Sequence, residues 1–300
     1  DFSSDISGKF KYMNLIKHGR NVHELQLDGK QVHVAMLSDL HWDNPKCDRQ
    51  LLKKHLDFCK DNNIPVIING DFFCLMQGRG DNRRNKSDIR QEHNNARYLD
   101  SIVETASEWF KPYADIIKVI GYGNHETGII KYQETDLLQR FVDLLNYKCS
   151  SNVQTGGYGG WIIIKQSFHS NVGVSTKVKY YHGSGGGGVV TKGALNLTRA
   201  LEMYEDMDVF TMGHIHENSS RNDVRETIIH NSKAGYSIKQ KQLHLMLTGT
   251  YKEEYGEGAY GWHVERGAPP KPLGGRILKI EAKVVDNAIQ KNIDSFKFPL

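Results

Sequence analysis

Residues 22–39, VHELQLDGKQVHVAMLSD, alternate apolar and polar positions on both sides of Asp28-Gly29. An Asp-Gly pair between two alternating segments predicts a β-hairpin. Over 48–62 the residues Leu52, Leu56 and Cys59 recur at helical spacing, with Leu51 and Phe58 beside them. The run IPVIIN, 64–69, is short, apolar and β-branched, which predicts a buried strand. Ser87 stands where it would cap a long helix carrying Leu99, Ile102, Val103, Ala106 and Phe110 on one face and ending near Pro112. DIIKVIG, 115–121, reads as another buried strand, and a helix over about 134–146 presents Leu137, Leu138, Phe141 and Leu145. Beyond it the pattern becomes mostly β: GWIIIKQSF, TKVKYY, DVFTMG, ETIIHN, QLHLMLTG and RILKIEAKV, with one helix near 192–206.

Alternating β and α segments that give way to strands predict an α/β fold with mixed sheets inside and helices outside. No Pro/Gly linker divides the 300 residues, so a single domain is expected, with its motif core over about 31–250 and a C-terminal strand and tail over 276–300. The composition, 38% hydrophobic and 25% charged, is that of a soluble globular protein, and no apolar run approaches the ~20 residues that span a bilayer. No N-terminal signal pattern appears. The four cysteines, Cys47, Cys59, Cys74 and Cys149, form no CxxC pair, which fits a reducing, cytoplasmic setting without a disulfide framework. A net charge of +4 permits polyanionic partners without requiring them.

The chemistry gathers where the predicted strands end. SDLHW brings Asp39 and His41, NGDFF brings Asp71, GYGNHE brings Asn124 and His125, VKYYHG brings His182, and TMGHIH brings His214 and His216. In open α/β sheets that edge is where ligands bind. In extended chain His214 and His216 would point to one side, and Gly213 before them leaves room for a tight turn. Carboxylates, imidazoles and an amide oxygen suit borderline cations such as manganese, iron or zinc. Asp39, His41, Asp71, Asn124, His182, His214 and His216 make seven donors, more than one tetrahedral ion takes. They suit two ions if one carboxylate bridges, and Asp71 is the natural bridge. His33, His230 and His244 read as ordinary core or surface residues.

The ordered set D-x-H, G-D, G-N-H-E, H and G-H-x-H over residues 36–216 resembles the signature of the calcineurin-like metallophosphoesterases. That resemblance implies a four-layer sandwich, two mixed β-sheets flanked by helices, with a dinuclear metal centre at the strand ends. It implies one ion on Asp39, His41, Asp71 and His216 and a second on Asp71, Asn124, His182 and His214. The ions expected are two divalent cations, manganese first, with iron, zinc or magnesium as alternatives. The implied reaction is in-line attack on phosphorus by metal-activated hydroxide, with His125 as the general acid.

Departures bear on the substrate. The chain reads GDFFCLM and lacks the phosphate-clamping arginine that phosphoprotein phosphatases of the family carry after the bridging Asp; Cys74 stands where its break-repair nucleases have histidine. The loop QGRGDNRRNKSDIR, 77–90, with Arg79, Arg83 and Arg84, could hold further phosphates or be a solvated loop. The glycine run 183–188 fails the Walker spacing and reads as a loop beside the site. The segment 248–275, which resembles stretches of phage-encoded phosphoesterases, either packs on itself or rims the pocket with rings such as Tyr251 and His263 stacking on a base. A phosphodiester of DNA, RNA or a nucleotide is the favoured substrate. The alternatives are a phosphomonoesterase on small metabolites and a non-catalytic metal- or phosphate-binding scaffold. No membrane partner is expected, and the oligomeric state stays open.

Overall fold

The computed structural model describes residues 12–75, 86–169, 172–186, 188–232, 234–256, 258, 262–265, 267–285 and 288–299. Two mixed sheets face each other. In chain order the strands are β1 (Met13–Gly19), β2 (Val22–Asp28), β3 (Gln31–Leu37), β4 (Val66–Asn69), β5 (Ile117–Gly121), β6 (Gln154–Thr155), β7 (Gly159–His169), β8 (Val172–Tyr181), β9 (Val209–Met212), β10 (Ser219–Asn231), β11 (Gly235–Leu247), β12 (Arg276–Val285) and β13 (Ala288–Lys297). One sheet runs β1-β2-β7-β8-β9-β11-β10 and the other β13-β12-β3-β4-β5-β6. The helices are α1 (Arg49–Asp61), α2 (Tyr98–Phe110), α3 (Asn124–Gln133), α4 (Leu137–Cys149), α5 (Ala194–Met203) and the short α6 (Trp262–Glu265).

Packing follows from which face each element leaves apolar. Leu25, Val34, Ile67, Val119, Ile164, Val178, Val209, Met246 and Leu278 fill the space between the sheets. The outer face of the six-stranded sheet buries Leu37, Val66, Ile68 and Ile117 against Leu52 and Leu56 of α1, Ile102 and Phe110 of α2, and Phe141 and Leu145 of α4. On the outer face of the seven-stranded sheet, α5 sets Leu197 and Ala200 against Phe210, Leu245 and Leu247. The result is the expected four layers of helix, sheet, sheet and helix.

Some elements differ from the sequence expectation. Residues 22–28 and 31–37 do not form a hairpin. Both edges of β2 are taken, by β1 and by β7, so the chain turns at Gly29 (φ 132°) and β3 crosses into the opposite sheet beside β12 and β4. Gln166 Nε2 holds that crossing by donating to the carbonyls of Gly29 and Lys30 at 2.8 and 2.7 Å. No long helix starts at Ser87; two 3-10 turns precede α2, and Asn95 accepts from the Arg97 amide at 2.8 Å, a local bond that competes with helix before Tyr98. The helix expected at about 134–146 starts at Leu137 because Asp136 caps it, accepting from Gln139 N at 3.0 Å. β1, β13 and α3 escaped the pattern; α3 buries only Glu126 and Ile129, too little for an apolar stripe.

His23, His55 and His244 are buried within this frame, and burial holds each down at about 4. His244 bridges strands of both sheets, with Asn222 Oδ1 at 2.6 Å and Ser295 Oγ at 2.8 Å. Between the unfolded value of ~6.5 and about 4, the unfolded chain takes up protons that the folded chain refuses. Stability is therefore full above the unfolded value and falls as pH drops through that window. Urea midpoints taken at steps from neutral pH to about pH 4 should decline steadily. His244→Gln, which keeps polar atoms facing Asn222 and Ser295 without titrating, should flatten the decline; an unchanged slope would contradict this.

Candidate metal centre

The donors cluster because parallel strands of both sheets end at one pole. β3, β4 and β5 run parallel in one sheet, and β8 and β9 in the other. Asp39 and His41 follow β3, Asp71 follows β4, Asn124 opens α3 after β5, His182 follows β8, and His214 and His216 follow β9. The two sheets are tied there. Asn69 Nδ2 reaches the Tyr181 carbonyl at 2.9 Å, and the His214 amide donates to Asp39 Oδ2 at 2.9 Å.

Five of these residues are in left-handed backbone: Asp39 (φ 52°), His41 (44°), Asp71 (47°), His214 (67°) and His216 (56°). Non-glycine residues rarely adopt it, and such strain gathers at functional sites. It also revises the extended-chain reading of GHIH. With both histidines turned left-handed, their rings diverge into different groups instead of sharing one side.

The donors fall into two groups. Ligand-type atoms of Asp39, His41 and His216 lie within 4.8 Å of one another, as do those of Asp71, His182 and His214. Asn124 Oδ1 joins the second group, 2.9 Å from His214 Nδ1 and 3.3 Å from His182 Nε2. His182 Nε2 is 3.3 Å from Asp71 Oδ2, and His216 Nε2 is 3.3 Å from Asp39 Oδ1. Asp71 meets the first group through its backbone, accepting from the His41 amide at 3.1 Å.

The set fits divalent cations on its own chemistry. Asp39 Oδ1 and His41 Nδ1 are buried without a hydrogen bond, and His41 Nε2 faces His216 Nε2 at 3.4 Å. Buried polar atoms left in this way imply a further partner. His182 Nδ1 lies 2.9 Å from the Asn69 carbonyl, which can only accept. That fixes a proton on Nδ1 and turns Nε2 inward, toward Asp71. Burial opposes a charge on His182, yet Asp71 and Asp39 hold it up at about 10. Burial would raise Asp71 too, but His182 and His125 pull it well below the usual range. Burial and the charge of His125 push His41 well down.

His125 sits at the N-terminus of α3. Its amide donates to Asp71 Oδ1 at 3.1 Å, its Nδ1 contacts the Cys74 carbonyl, and its Nε2 is 3.8 Å from Asp71 Oδ2. Cys74 is fully buried, accepts from Asn44 Nδ2 at 3.1 Å, and burial drives its thiol upward, so it stays protonated.

Residues outside the sequence expectation hold this arrangement. Glu126 is buried and accepts from the amides of Asp71, Phe73 and Gly123 at 3.1, 2.9 and 2.8 Å; burial and the neighbouring Asp71 push it up to about 8. Its signal was present as the last letter of GNHE. Asp43 accepts from the amides of Cys74 and Leu75. Lys252, bonded to Glu254 at 2.7 Å, adds a positive charge felt by Cys74 and His41. Two glycines are required by close approach. A Cβ on Gly123 would stand 2.0 Å from Asp71 Oδ1, and one on Gly213 2.5 Å from Asp39 Oδ2.

Tyr251 corrects the sequence expectation. Its ring is fully buried and its hydroxyl lies 2.9 Å from His55 Nδ1, so it cannot stack on a base. Its amide instead donates to the Asp39 carbonyl at 3.0 Å, beside Thr250 Oγ1 at 2.9 Å. Arg90, from the basic loop, is spent on the carbonyls of Asn44 and Cys47 at 3.0 and 3.1 Å. Arg79, Arg83, Arg84 and the side chain of His263 lie outside the described residues. Among the described residues no helix is long and apolar enough to cross a membrane.

No protein-family model and no curated protein matches the chain. Among solved structures, a Vps29 single mutant from Entamoeba histolytica is 11% identical, with 89% of this chain and 100% of that one covered and a TM-score of 0.35. Wild-type Vps29 of the same organism, complexed with Zn2+, is 12% identical, with coverages of 88% and 99% and a TM-score of 0.32. GAP50, described as the anchor in the inner membrane complex of Plasmodium, is 12% identical, with coverages of 89% and 88% and a TM-score of 0.39. These structures lend nothing to the likeness of 248–275 to phage-encoded enzymes.

Glu126→Ala leaves three buried amides without an acceptor. A loss of about 2–4 kcal/mol in unfolding free energy is expected, together with weaker metal uptake because Asp71 is no longer held. Urea unfolding and calorimetric Mn2+ titration check both; unchanged metal affinity would show that Glu126 does not position Asp71.

Proposed function

We propose that the chain is a dinuclear metal-dependent phosphoesterase that favours phosphodiesters of nucleic acids or nucleotides. The observation that carries this reading is the division of buried donors into two groups at one pole, the second completed by Asn124, with five strained residues among them. The motif resemblance to calcineurin-like metallophosphoesterases supports it.

Asp39, His41 and His216 with Asp71 would hold one divalent cation, and Asp71, Asn124, His182 and His214 the other. Bound there, such cations supply Lewis acidity for phosphoryl oxygens and acidify water for attack on phosphorus. The chain's own residues arrange the rest. Glu126 holds the Asp71 amide, and Gly123 leaves room for its carboxylate. The Cys74 carbonyl holds the Nδ1 proton of His125, so Nε2 is the atom that can deliver a proton to a leaving oxygen. The preference for diesters rests on the missing phosphatase arginine in GDFFCLM and on the net charge of +4.

A panel assayed with Mn2+, comparing a generic phosphodiester, a generic monoester, and single- and double-stranded DNA and RNA, should show the diesters hydrolysed fastest. A monoester preference would overturn the substrate class. Two equivalents of metal with no hydrolysis of any ester would favour the scaffold reading. His125→Ala should keep its metal and lose about 10²–10⁴-fold in rate on esters with a poor leaving group. The loss should shrink on esters whose leaving group is already acidic; equal losses on both would remove the acid role.

A further inference from the structure

The pole opposite the candidate centre carries an uncovered apolar ribbon. β10 pairs with β11 over their whole lengths, Ser219 with Leu247 through Asn231 with Gly235, but β11 meets β9 only from His244 to Leu247. The rest of the pair extends beyond the sheet as two strands alone. A lone two-stranded ribbon is marginal in water. One face is fastened: Arg225 donates to the carbonyls of Leu201 and Glu205, and Arg221 to Thr198 Oγ1 at 3.1 Å, all in or beside α5. The other face is bare. Val224 is 64% exposed, Ile228 73%, Tyr236 77% and Ile238 68%, with Ile228 directly opposite Ile238.

β10 is also the last strand of its sheet, so its outer backbone edge is unpaired among the described residues. Along that edge Thr227, Ile228 and Ile229 form a β-branched run without proline or lysine. The charges that guard natural edge strands against pairing stop at Glu226, which leaves this run as the unguarded part of β10. The polar side chains around Ile228 fit the strand to itself, Glu226 offering a carboxylate acceptor and His230 a ring N–H donor. A two-fold axis perpendicular to the sheet keeps each face on its own side, so it pairs residues of equal parity. Centred on Ile228, it sets Glu226 of each copy opposite the partner's His230 and Ile228 opposite the partner's Ile228. Centred on Glu226, it opposes like charges. Centred on Val224, it needs Arg225 and Asp223, which are already committed to α5 and to Arg221 Nε at 2.9 Å.

We propose that the chain forms a two-fold homodimer in which β10 pairs antiparallel with β10 of a second copy about Ile228, joining the two seven-stranded sheets edge to edge. The isoleucines at 228 and 238 then form one row across the axis. The two candidate metal centres, at the far ends of their sheets, take no part.

Light scattering of the full chain should give twice the chain mass, and Ile228→Asp should give the chain mass with unchanged circular dichroism and Mn2+ uptake. In a Cys149→Ser background, which removes the half-exposed thiol and leaves the buried ones, Ile228→Cys should convert under mild oxidation to a disulfide-linked dimer, and Val224→Cys should not. Glu226→His should raise the dimer dissociation constant about tenfold, the loss of one modest polar contact per strand. Adding His230→Glu should restore it. A wild-type chain at single mass at every concentration overturns the proposal. So does cross-linking at Val224→Cys in preference to Ile228→Cys, or a charge swap that fails to rescue.

Discussion

The candidate centre depends on backbone held where side-chain residues resist going. Asp39, His41, Asp71, His214 and His216 each sit at positive φ, a cost of roughly 1–3 kcal/mol apiece for non-glycine residues. Such a cost persists only where surrounding bonds leave no alternative, and those bonds are visible. The Asp39 carbonyl accepts from both Tyr251 N and Thr250 Oγ1, the Asp71 amide is held by Glu126, and the His41 amide donates to the Asp71 carbonyl. The His214 amide closes onto Asp39 Oδ2 across the two sheets. Four of the five, all but His216, are thus fixed by a neighbour that is itself another donor or buttresses one. The arrangement stands or falls together.

Its electrostatics need the same cooperation. Burying Asp71 among three histidines pulls its carboxyl down and drives His182 up, while His41 and His214, which meet other imidazoles, are driven down. Identical side chains a few ångströms apart therefore carry opposite tendencies. The sum is a pole of two carboxylates among five imidazoles, a donor set whose chemistry suits divalent cations.

The gathering of these candidate donors at strand ends was legible in the sequence for a simple reason. Strands announce themselves by apolar runs, and a polar residue beside glycine after such a run can be placed at a strand end without knowing which strands are neighbours. Strand partnership was not legible in that way. Asp28-Gly29 signals a reversal, but whether β3 returns beside β2 depends on whether β7 already holds that edge, and β7 lies more than a hundred residues away. Tyr251 failed for a related cause. Glycine-rich, aromatic sequence suggests an exposed loop, whereas the ring is drawn inside by His55 and its backbone is needed to brace Asp39. Glu126 went unassigned because its work is done on backbone amides, which leave no pattern in side-chain type.

The two poles of the sandwich show how one topology divides its tasks. Where parallel strands end, the chain must leave the sheet, and the polar groups freed there are gathered and braced. At the other pole β10 and β11 outrun their neighbours, and the residue alternation that faces Met246 inward keeps facing the same way after the opposite sheet has ended. His244, held between Asn222 and Ser295, marks the last rung at which that face meets β13. Past it, Tyr236, Ile238, Ile228 and Val224 stand on that face among Glu226, His230, Gln240 and Gln242, with no core beneath them among the described residues. What sets this face apart from scattered exposed apolar residues is that Ile228 and Ile238 stand directly opposite each other on the ladder, with Tyr236 beside them, so their exposed surface is joined into one patch.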